Sequence, residues 1–177
     1  MKPALFLDRD GVVNEDTKYL HKAEDCVFIE GIFDLCLQAQ NKGYQIVIVT
    51  NQAGIGRGYY TEDIFYTFTD WMKQQFAGHS VTIDGVYFCP HHPTAGQGKY
   101  LTDCDCRKPK PGMFLQAQKD LSLDLSSSIM VGDKTSDLEA ADNADIPTRI
   151  FFPGEYEQTS PAATHTVTSL SDVLPLL

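Results

Sequence analysis

Two aspartates one residue apart follow a short apolar run near the start of the chain. Residues 4–7 are apolar and lead straight into Asp8 and Asp10, with Gly11 directly after them. A short apolar run that ends in charge and glycine is typical of a buried strand whose carboxyl end opens into a site. Two carboxylates this close repel each other unless a cation binds both, and their hard oxygen atoms suit Mg²⁺. The alternative is an ordinary acidic turn after a strand.

A later apolar run ends in a carboxylate in the same way. Residues 128–131 lead into a glycine and then Asp133, and Asp137 follows one helical turn further on. A third strand-end carboxylate would complete an oxygen cage for one Mg²⁺ ion together with Asp8 and Asp10. Asp137 is placed to support that cage from behind or to act as a charge at a helix N-terminus.

A turn with anion-binding character follows the β-branched run 45–49. Thr50 begins it, and residues 51–58 contain two amides and three glycines, with Arg57 adding positive charge. Backbone and side-chain donors in such a turn can bind an anion. A glycine-rich turn alone is weak evidence, but its place after a strand predicts that it lies beside the aspartates.

The loop 89–106 contains two close pairs of soft metal ligands: Cys89 with His91, and Cys104 with Cys106. This pattern indicates a structural Zn²⁺ site, because five cysteines in a reducing compartment are not expected to form disulfides. The alternative is a loop with incidental cysteines. Spacing does not separate His91 from His92, and the histidine left over is expected to face solvent.

Arg107 and Lys108 follow the last of these cysteines and precede a predicted helix. A metal-bound loop would hold both side chains rigidly, as a phosphate clamp requires. The alternative is a pair of solvated basic residues. The chain has 24 acidic and 14 basic residues, a formal charge of −10, which argues against nucleic-acid and membrane-surface partners. A phosphorylated substrate would therefore need this local basic cluster.

Apolar runs and helical periodicities alternate along the chain, which is typical of an α/β domain with a parallel sheet. We expect strands at 4–7, 45–50, 84–88, 128–131 and 148–152, and a short strand near 166–167. Helices are predicted to begin near Ile32, Thr61 and Pro111, and about one turn before Asp137, with a terminal helical turn over 170–176. The apolar stripe of the second helix is expected to be core: Ile64, Phe65, Phe68, Trp71, Met72 and Phe76.

The length of 177 residues fits a single domain, 1–177. We predict neither a secretory signal nor a membrane span, and therefore a cytoplasmic protein. The sequence shows no exposed heptad pattern, so a monomer is the expected state.

The ordered set of these motifs resembles the haloacid dehalogenase superfamily. Its four motifs correspond to Asp8-x-Asp10, Thr50, Lys108 and Gly132-Asp133. The sequences around them, including Thr50-Asn51-Gln52-Ala53-Gly54-Ile55 and Cys89-Pro90-His91-His92-Pro93, resemble the D-glycero-D-manno-heptose-1,7-bisphosphate 7-phosphatases. The related histidinol-phosphate phosphatases share most of them, but the long loop between His91 and Cys104 is more similar to the heptose enzymes. Residues 16–19 depart from the heptose pattern, in which a glycine commonly precedes the tyrosine.

This resemblance implies a Rossmann-like parallel sheet of order 3-2-1-4-5 with helices on both faces, a minimal cap and a zinc-binding loop. Asp8 would be the nucleophile that forms an aspartyl-phosphate, and Asp10 the general acid and base. Thr50 and Lys108 would stabilise the phosphoryl group. Mg²⁺ would be held by Asp8, the Asp10 carbonyl and Asp133, and Zn²⁺ by Cys89, His91, Cys104 and Cys106.

The resemblance also implies a small phosphorylated sugar as substrate, in the biosynthesis of ADP- or GDP-heptose for lipopolysaccharide or other cell-surface polysaccharide. The expected substrate contacts are Asp16, Thr17, Lys18, Tyr19, Asn51, Gln52, Ala53, Arg107 and Lys134. Three other functions use similar motifs. A polynucleotide 3′-phosphatase is disfavoured by the acidity, a phosphomutase by the short segment 12–29, and a non-catalytic zinc-loop module by the three carboxylates it would not need.

Overall fold

Six parallel strands form the centre of the molecule, which a computed structural model describes over residues 1–177. They are β1 (Ala4–Leu7), β2 (Gln45–Asn51), β3 (Gly85–Cys89), β4 (Ile129–Gly132), β5 (Thr148–Phe151) and β6 (His165–Thr166). Their order across the sheet is β3-β2-β1-β4-β5-β6. Because β1 lies between β2 and β4, the residues that follow these three strands meet at one edge of the sheet.

Five α-helices connect the strands: α1 (Ile32–Asn41), α2 (Ala53–Gly56), α3 (Glu62–Gly78), α4 (Gly112–Leu121) and α5 (Thr135–Asn143). Helices α1 and α3, with the 3₁₀ turn Leu170–Leu176, pack on one face of the sheet. Helices α4 and α5 pack on the other face. Coverage of both faces explains why the strands read as nearly continuous apolar runs.

Side chains of β1 alternate between these two layers. Leu5 and Leu7 belong to the core under α1 and α3, whereas Ala4 and Phe6 belong to the core under α4 and α5. All four are fully buried, and burial of side chains such as Leu and Phe stabilises the fold by about 1.5–3 kcal/mol each. The strand is thus fixed on both faces immediately before Asp8.

The register of the sheet aligns the carboxyl ends of β1, β2 and β4, where the predicted motifs lie. Leu7 pairs with Ile48 of β2 and with Val131 of β4. The Asp8 amide continues the ladder by donating to the Val131 carbonyl at 3.1 Å. The backbone of Asp8 is therefore fixed by the sheet, and it lies beside the ends of both neighbouring strands.

The predicted strand order is confirmed, and β6 adds a sixth strand beside β5. No large cap interrupts the chain: residues 12–29 form a connector with the single 3₁₀ turn Ala23–Asp25. None of the helices is both long and apolar enough to cross a bilayer.

The prediction that the whole apolar stripe of α3 is core was wrong at its first position. Thr61 caps α3 by accepting a hydrogen bond from the Ile64 amide at 3.2 Å, and the Ile64 side chain in this first turn is 41% exposed. Trp71 is only partly buried and stacks on Phe28, with ring centroids 5.9 Å apart. In the predicted anion-binding turn, residues 53–56 form the short helix α2.

Candidate active site

A cavity of about 630 Å³ opens at the carboxyl ends of β1 and β2. Asp10 and Lys108 line it, and most of the other lining residues have polar or charged side chains. Eight of the nine predicted substrate contacts also line it: Asp16, Lys18, Tyr19, Asn51, Gln52, Ala53, Arg107 and Lys134. Thr17 does not line the cavity and is exposed to solvent. The long loops after β1 and β3 therefore converge on one concave site.

Three buried carboxylates lie together below the cavity. One oxygen atom from each of Asp8, Asp133 and Asp137 lies within 4.8 Å of the other two. These residues are 6%, 2% and 2% exposed. A Cβ atom at Gly11, whose φ is +97°, would collide with the Asp133 carboxylate. Glycine at this position thus permits the backbone after Asp10 to pass close to Asp133.

The Lys108 ammonium is the only side-chain cation in contact with this group. Its Nζ donates to Asp8 Oδ1 at 2.8 Å, to the Val49 carbonyl at 2.9 Å and to Asp137 Oδ1 at 2.7 Å. These three acceptors match the three hydrogens of the ammonium. The ammonium of Lys108 is therefore paired with two of the three carboxylates, Asp8 and Asp137, and Asp133 has no cation in contact.

The pKa values of the group reflect this imbalance. Burial, reinforced by Asp137, raises the pKa of Asp8 to about 6, although Lys108 opposes the shift. Burial, together with the charges of Asp8 and Asp137, raises the pKa of Asp133 to about 10. Burial disfavours the charged form of Lys108, but Asp137 and Asp8 outweigh it and raise the pKa of the ammonium.

Asp10 points toward a different set of partners. Its Oδ1 accepts hydrogen bonds from Arg9 Nη2 at 3.0 Å and from Asn14 Nδ2 at 3.0 Å. Its Oδ2 accepts from Gln52 Nε2 at 3.3 Å. The Arg9 guanidinium is itself 2% exposed and lies 5.0 Å from the centre of the Phe68 ring. Asp10 is therefore held by buried donors while it faces the cavity.

Asn51 and Gln52, which are predicted to contact substrate, also form hydrogen bonds within the protein. The Asn51 amide bonds both backbone groups of Lys108, accepting from its N–H at 3.1 Å and donating to its carbonyl at 3.3 Å. Gln52 is 2% exposed and donates to Thr50 Oγ1 at 2.8 Å as well as to Asp10. Both amides line the cavity, but their hydrogen bonds go to predicted catalytic residues.

Four soft ligands form a second cluster beside the cavity. The ligand atoms of Cys89, His91, Cys104 and Cys106 all lie within 4.8 Å of one another. The sulfur atoms of Cys89 and Cys104 are 3.5 Å apart, and His91 Nδ1 lies 3.3 Å from the Cys106 sulfur. All five cysteines are free thiols. Cys89 and Cys106 share a hydrogen bond that lowers the pKa of Cys106 and raises that of Cys89, so the Cys106 sulfur is the first of the two to be available as a thiolate.

Comparisons with known proteins agree with this geometry. A family profile described as HAD-hydrolase-like matches residues 105–173. The chain is 49% identical over 175 residues to the D-glycero-beta-D-manno-heptose-1,7-bisphosphate 7-phosphatase of Vibrio cholerae, covering 97% of this chain and 94% of the relative. It is also 49% identical over 175 residues to the D-glycero-alpha-D-manno-heptose-1,7-bisphosphate 7-phosphatase of Burkholderia mallei, with 98% and 93% covered.

The chain belongs to the heptose-bisphosphate phosphatase family. Among solved structures, it is similar to the D,D-heptose 1,7-bisphosphate phosphatase of B. bronchiseptica, which was crystallised with magnesium and phosphate. That similarity has a TM-score of 0.83 at 28% identity and covers 98% of this chain and 97% of the other. A HAD-like phosphatase from Mesorhizobium loti gives a TM-score of 0.87 at 35% identity, with 98% and 85% covered. The protein is thus an enzyme of the haloacid dehalogenase superfamily.

The carboxylates of this family member fit a divalent cation. Asp133 Oδ1 is buried and has no hydrogen-bond partner, although a buried polar atom is normally paired. Asp137, by contrast, is paired with Lys108 and accepts from the Lys134 amide at 3.1 Å. The oxygen left free for a metal therefore belongs to Asp133, whereas Asp137 supports Lys108. Hard carboxylate oxygens are the donors that Mg²⁺ prefers.

The cavity also contains residues that the sequence analysis missed or misplaced. His92 lines the cavity rather than facing solvent alone, and its Nδ1 accepts from the Ala95 amide at 2.9 Å. Tyr60, Ser136 and Tyr156 line the cavity too. Tyr156 comes from the loop after β5 and lies 5.2 Å from the Lys134 ammonium. No periodicity or motif marks these residues, because only the folded loops bring them to the site.

Proposed function

We propose that this enzyme removes the 7-phosphate of D-glycero-D-manno-heptose 1,7-bisphosphate by way of an aspartyl-phosphate on Asp8. The observation that carries the proposal is the contact of Asp8 with Lys108 at the base of a polar cavity, beside the unpaired oxygen of Asp133. Relatives that are 49% identical over nearly the whole chain are named for this activity.

Asp8 is the proposed nucleophile because its carboxylate is buried at a strand end and held by Lys108. Its attack on phosphorus displaces the sugar alkoxide and leaves the phosphoryl group on the carboxylate, which water then releases as inorganic phosphate. A carboxylate is a weak nucleophile, so the rate depends on placement in line with the leaving oxygen.

Asp10 is the proposed general acid and base. It lines the cavity in which the sugar would bind. In the first step it gives a proton to the departing sugar oxygen, and in the second it takes a proton from the attacking water. Arg9, Asn14 and Gln52 fix the direction in which its carboxylate points.

Positive charge and donors around Asp8 offset the charge of the phosphoryl group. We assign this role to the Lys108 ammonium, which contacts Asp8, and to the Thr50 hydroxyl; both residues are buried. A Mg²⁺ ion bound by Asp8, Asp133 and the Asp10 carbonyl would neutralise phosphoryl charge. A Zn²⁺ ion in the cluster of Cys89, His91, Cys104 and Cys106 would be structural, because all four ligands come from protein.

The basic rim of the cavity fits a substrate with a second phosphate. Lys18, Arg57, Arg107 and Lys134 line it in a chain whose formal charge is −10. A monophosphate bound at Asp8 would leave this rim unused. We further infer a cytoplasmic protein, since the five free cysteines suit a reducing compartment. We also infer a monomer, because the sequence shows no exposed heptad pattern.

The test is phosphate release from both anomers of the 1,7-bisphosphate, with Mg²⁺ added or withheld and the remaining ester located by ³¹P NMR. Both anomers are needed because the two relatives at 49% identity are named for different ones. The proposal requires Mg²⁺-dependent loss of the 7-phosphate and retention of the 1-phosphate. Loss of the 1-phosphate instead would overturn it.

A further inference from the structure

We propose that Tyr60 and Gln52 are positioning residues that align the two predicted catalytic groups Asp10 and Thr50 through one continuous hydrogen-bond chain. The inference deepens the proposed function and depends on it for the roles of Asp10 and Thr50. It also changes the role of Gln52, which the sequence predicts to contact substrate. Tyr60 is not part of any motif in the sequence.

The chain of contacts begins at the Tyr60 hydroxyl. This hydroxyl donates to Gln52 Oε1. The other end of the same amide, Gln52 Nε2, donates to Thr50 Oγ1 at 2.8 Å and to Asp10 Oδ2 at 3.3 Å. Asp10 follows β1 and Thr50 lies in β2, so Gln52 joins catalytic groups of two neighbouring strands.

The bond directions in this chain follow from the two different ends of the Gln52 amide. Its NH₂ group can donate two hydrogen bonds, and it faces both Thr50 Oγ1 and Asp10 Oδ2. The carbonyl end then faces Tyr60, whose hydroxyl must donate. A flipped amide would place Oε1 against the Asp10 carboxylate and leave a repulsive contact between two acceptors.

This directionality decides what the Thr50 hydroxyl can do. Because Thr50 Oγ1 accepts from Gln52, its own hydrogen remains available for another acceptor. Within the protein the only acceptor it approaches is the Asn51 carbonyl, at 3.5 Å, which is too long for a good hydrogen bond. We infer that the hydroxyl hydrogen is reserved for a phosphoryl oxygen of the substrate.

Tyr60 is itself held firmly enough to act as the fixed end. It is 5% exposed, and its ring stacks on His21 with centroids 4.7 Å apart and an angle of 12° between the planes. A Cβ atom at Gly54 would press into the Tyr60 ring. The absence of a side chain at Gly54 therefore leaves room for the Tyr60 ring. Packing thus explains the glycine at this position without any role in anion binding.

The other oxygen of Asp10 does not depend on Gln52. Asp10 Oδ1 is held by Arg9 and Asn14. Loss of the Tyr60 hydroxyl should thus loosen only one side of the carboxylate, together with Thr50, and leave the fold and the substrate-binding rim intact. Groups that orient catalytic ligands in this way typically change activity by about 10–100-fold when removed.

The experiment is the variant Tyr60→Phe, which removes one hydroxyl and keeps the ring. We expect kcat to fall by about 10-fold with KM within about twofold of the native value. The matched control is Tyr66→Phe, since Tyr66 lies on α3, is 49% exposed and forms no hydrogen bond through its hydroxyl. Kinetics are measured with heptose 1,7-bisphosphate and with p-nitrophenyl phosphate, a simple monoester.

Two results would overturn the proposal. One is an unchanged kcat in Tyr60→Phe with both substrates. The other is a rise in KM alone, which would return Gln52 to the role of a substrate contact.

An NMR measurement made without substrate tests this inference independently of the proposed function. The Gln52 side-chain amide gives its own ¹H–¹⁵N NMR signal, which is assigned by its loss in Gln52→Leu. We expect its hydrogens to exchange with solvent faster in Tyr60→Phe than in native protein or Tyr66→Phe, because the amide loses its fixed end. Equal exchange rates would contradict the chain of contacts, whichever phosphate ester the enzyme hydrolyses.

Discussion

Lys108 Nζ lies 2.8 Å from Asp8 Oδ1, although 100 positions separate the two residues in the chain. The contact joins the end of β1 to the loop that follows the cysteine cluster. Both partners are almost fully buried, with side chains 2% and 9% exposed. Charges in such surroundings interact strongly and are costly when left alone.

Replacement Lys108→Met should therefore impair both activity and stability. We expect kcat to fall by about 10²-fold or more, as for the loss of a charge-stabilising donor. The free energy of unfolding should drop by about 3–5 kcal/mol, because Asp8 and Asp137 lose their shared partner. Phosphate release and urea denaturation measure the two effects.

The control for this change is Lys119→Met, because Lys119 is an exposed lysine of α4 that lies outside the site. It should change neither quantity appreciably. Equal effects of the two variants would contradict a special role for Lys108.

The variant Asp8→Asn should lose activity and keep its fold. The amide is similar in size but cannot form an aspartyl-phosphate, so turnover should fall by more than about 10³-fold. Circular dichroism should remain native. Substantial phosphate release by a preparation shown by mass spectrometry to contain no deamidated protein would exclude Asp8 as the nucleophile.

The stability of the Mg²⁺-free protein should fall as the pH rises. Burial raises the pKa of Asp133 from 3.8 to about 10 and that of Asp8 from 3.8 to about 6. Between these limits the folded state binds more protons than the unfolded state, so the free energy of unfolding decreases with pH. Asp8 contributes up to about pH 6, whereas Asp133 contributes throughout the range from 5 to 8.

Urea denaturation at pH 5, 6, 7 and 8, with and without Mg²⁺, measures this slope. A bound cation favours the ionised carboxylates, so stabilisation by Mg²⁺ should grow with pH. A free energy of unfolding that rises with pH in Mg²⁺-free buffer would show that the carboxylates are not held close together.

The cysteine cluster is expected to hold one Zn²⁺ ion per chain. Cys106→Ser should lose this metal, because serine is a poor zinc ligand. Its Tm should fall by at least about 5 °C, or roughly 2 kcal/mol for a chain of this size. Activity should fall as well, since Arg107 and Lys108 follow Cys106 directly. Elemental analysis, calorimetry and phosphate release test the three points.

The control is Cys26→Ser, because Cys26 is a partly buried thiol outside the cluster. It should retain metal, Tm and activity. Native protein that is verifiably free of zinc, yet keeps full activity and Tm, would refute a structural metal at this site.

The sequence was sufficient to place residues that follow apolar strands. Asp8 and Asp133 come directly after β1 and β4, and Thr50 lies near the end of β2. A parallel sheet brings the carboxyl ends of neighbouring strands together. The strand order and the convergence of Lys108 on Asp8 were predicted only with the family resemblance, because spacing alone does not define which strands are neighbours.

The sequence was insufficient where side-chain direction depends on tertiary packing. Gln52 belongs to the predicted anion-binding turn, but its amide points to Thr50 and Asp10 because Tyr60 binds its other end. His91 and His92 are equivalent by spacing. Only the folded loop places the first beside the three sulfur atoms and the second in the cavity wall.

One comparison tests the proposed function most directly: kcat/KM for phosphate release, with Mg²⁺, from heptose 1,7-bisphosphate and from histidinol phosphate. The structure predicts a preference of several orders of magnitude for the bisphosphate, because four basic side chains line the rim of the cavity. A preference for histidinol phosphate would contradict the proposed substrate while leaving the assignments of Asp8, Asp10 and Lys108 in place.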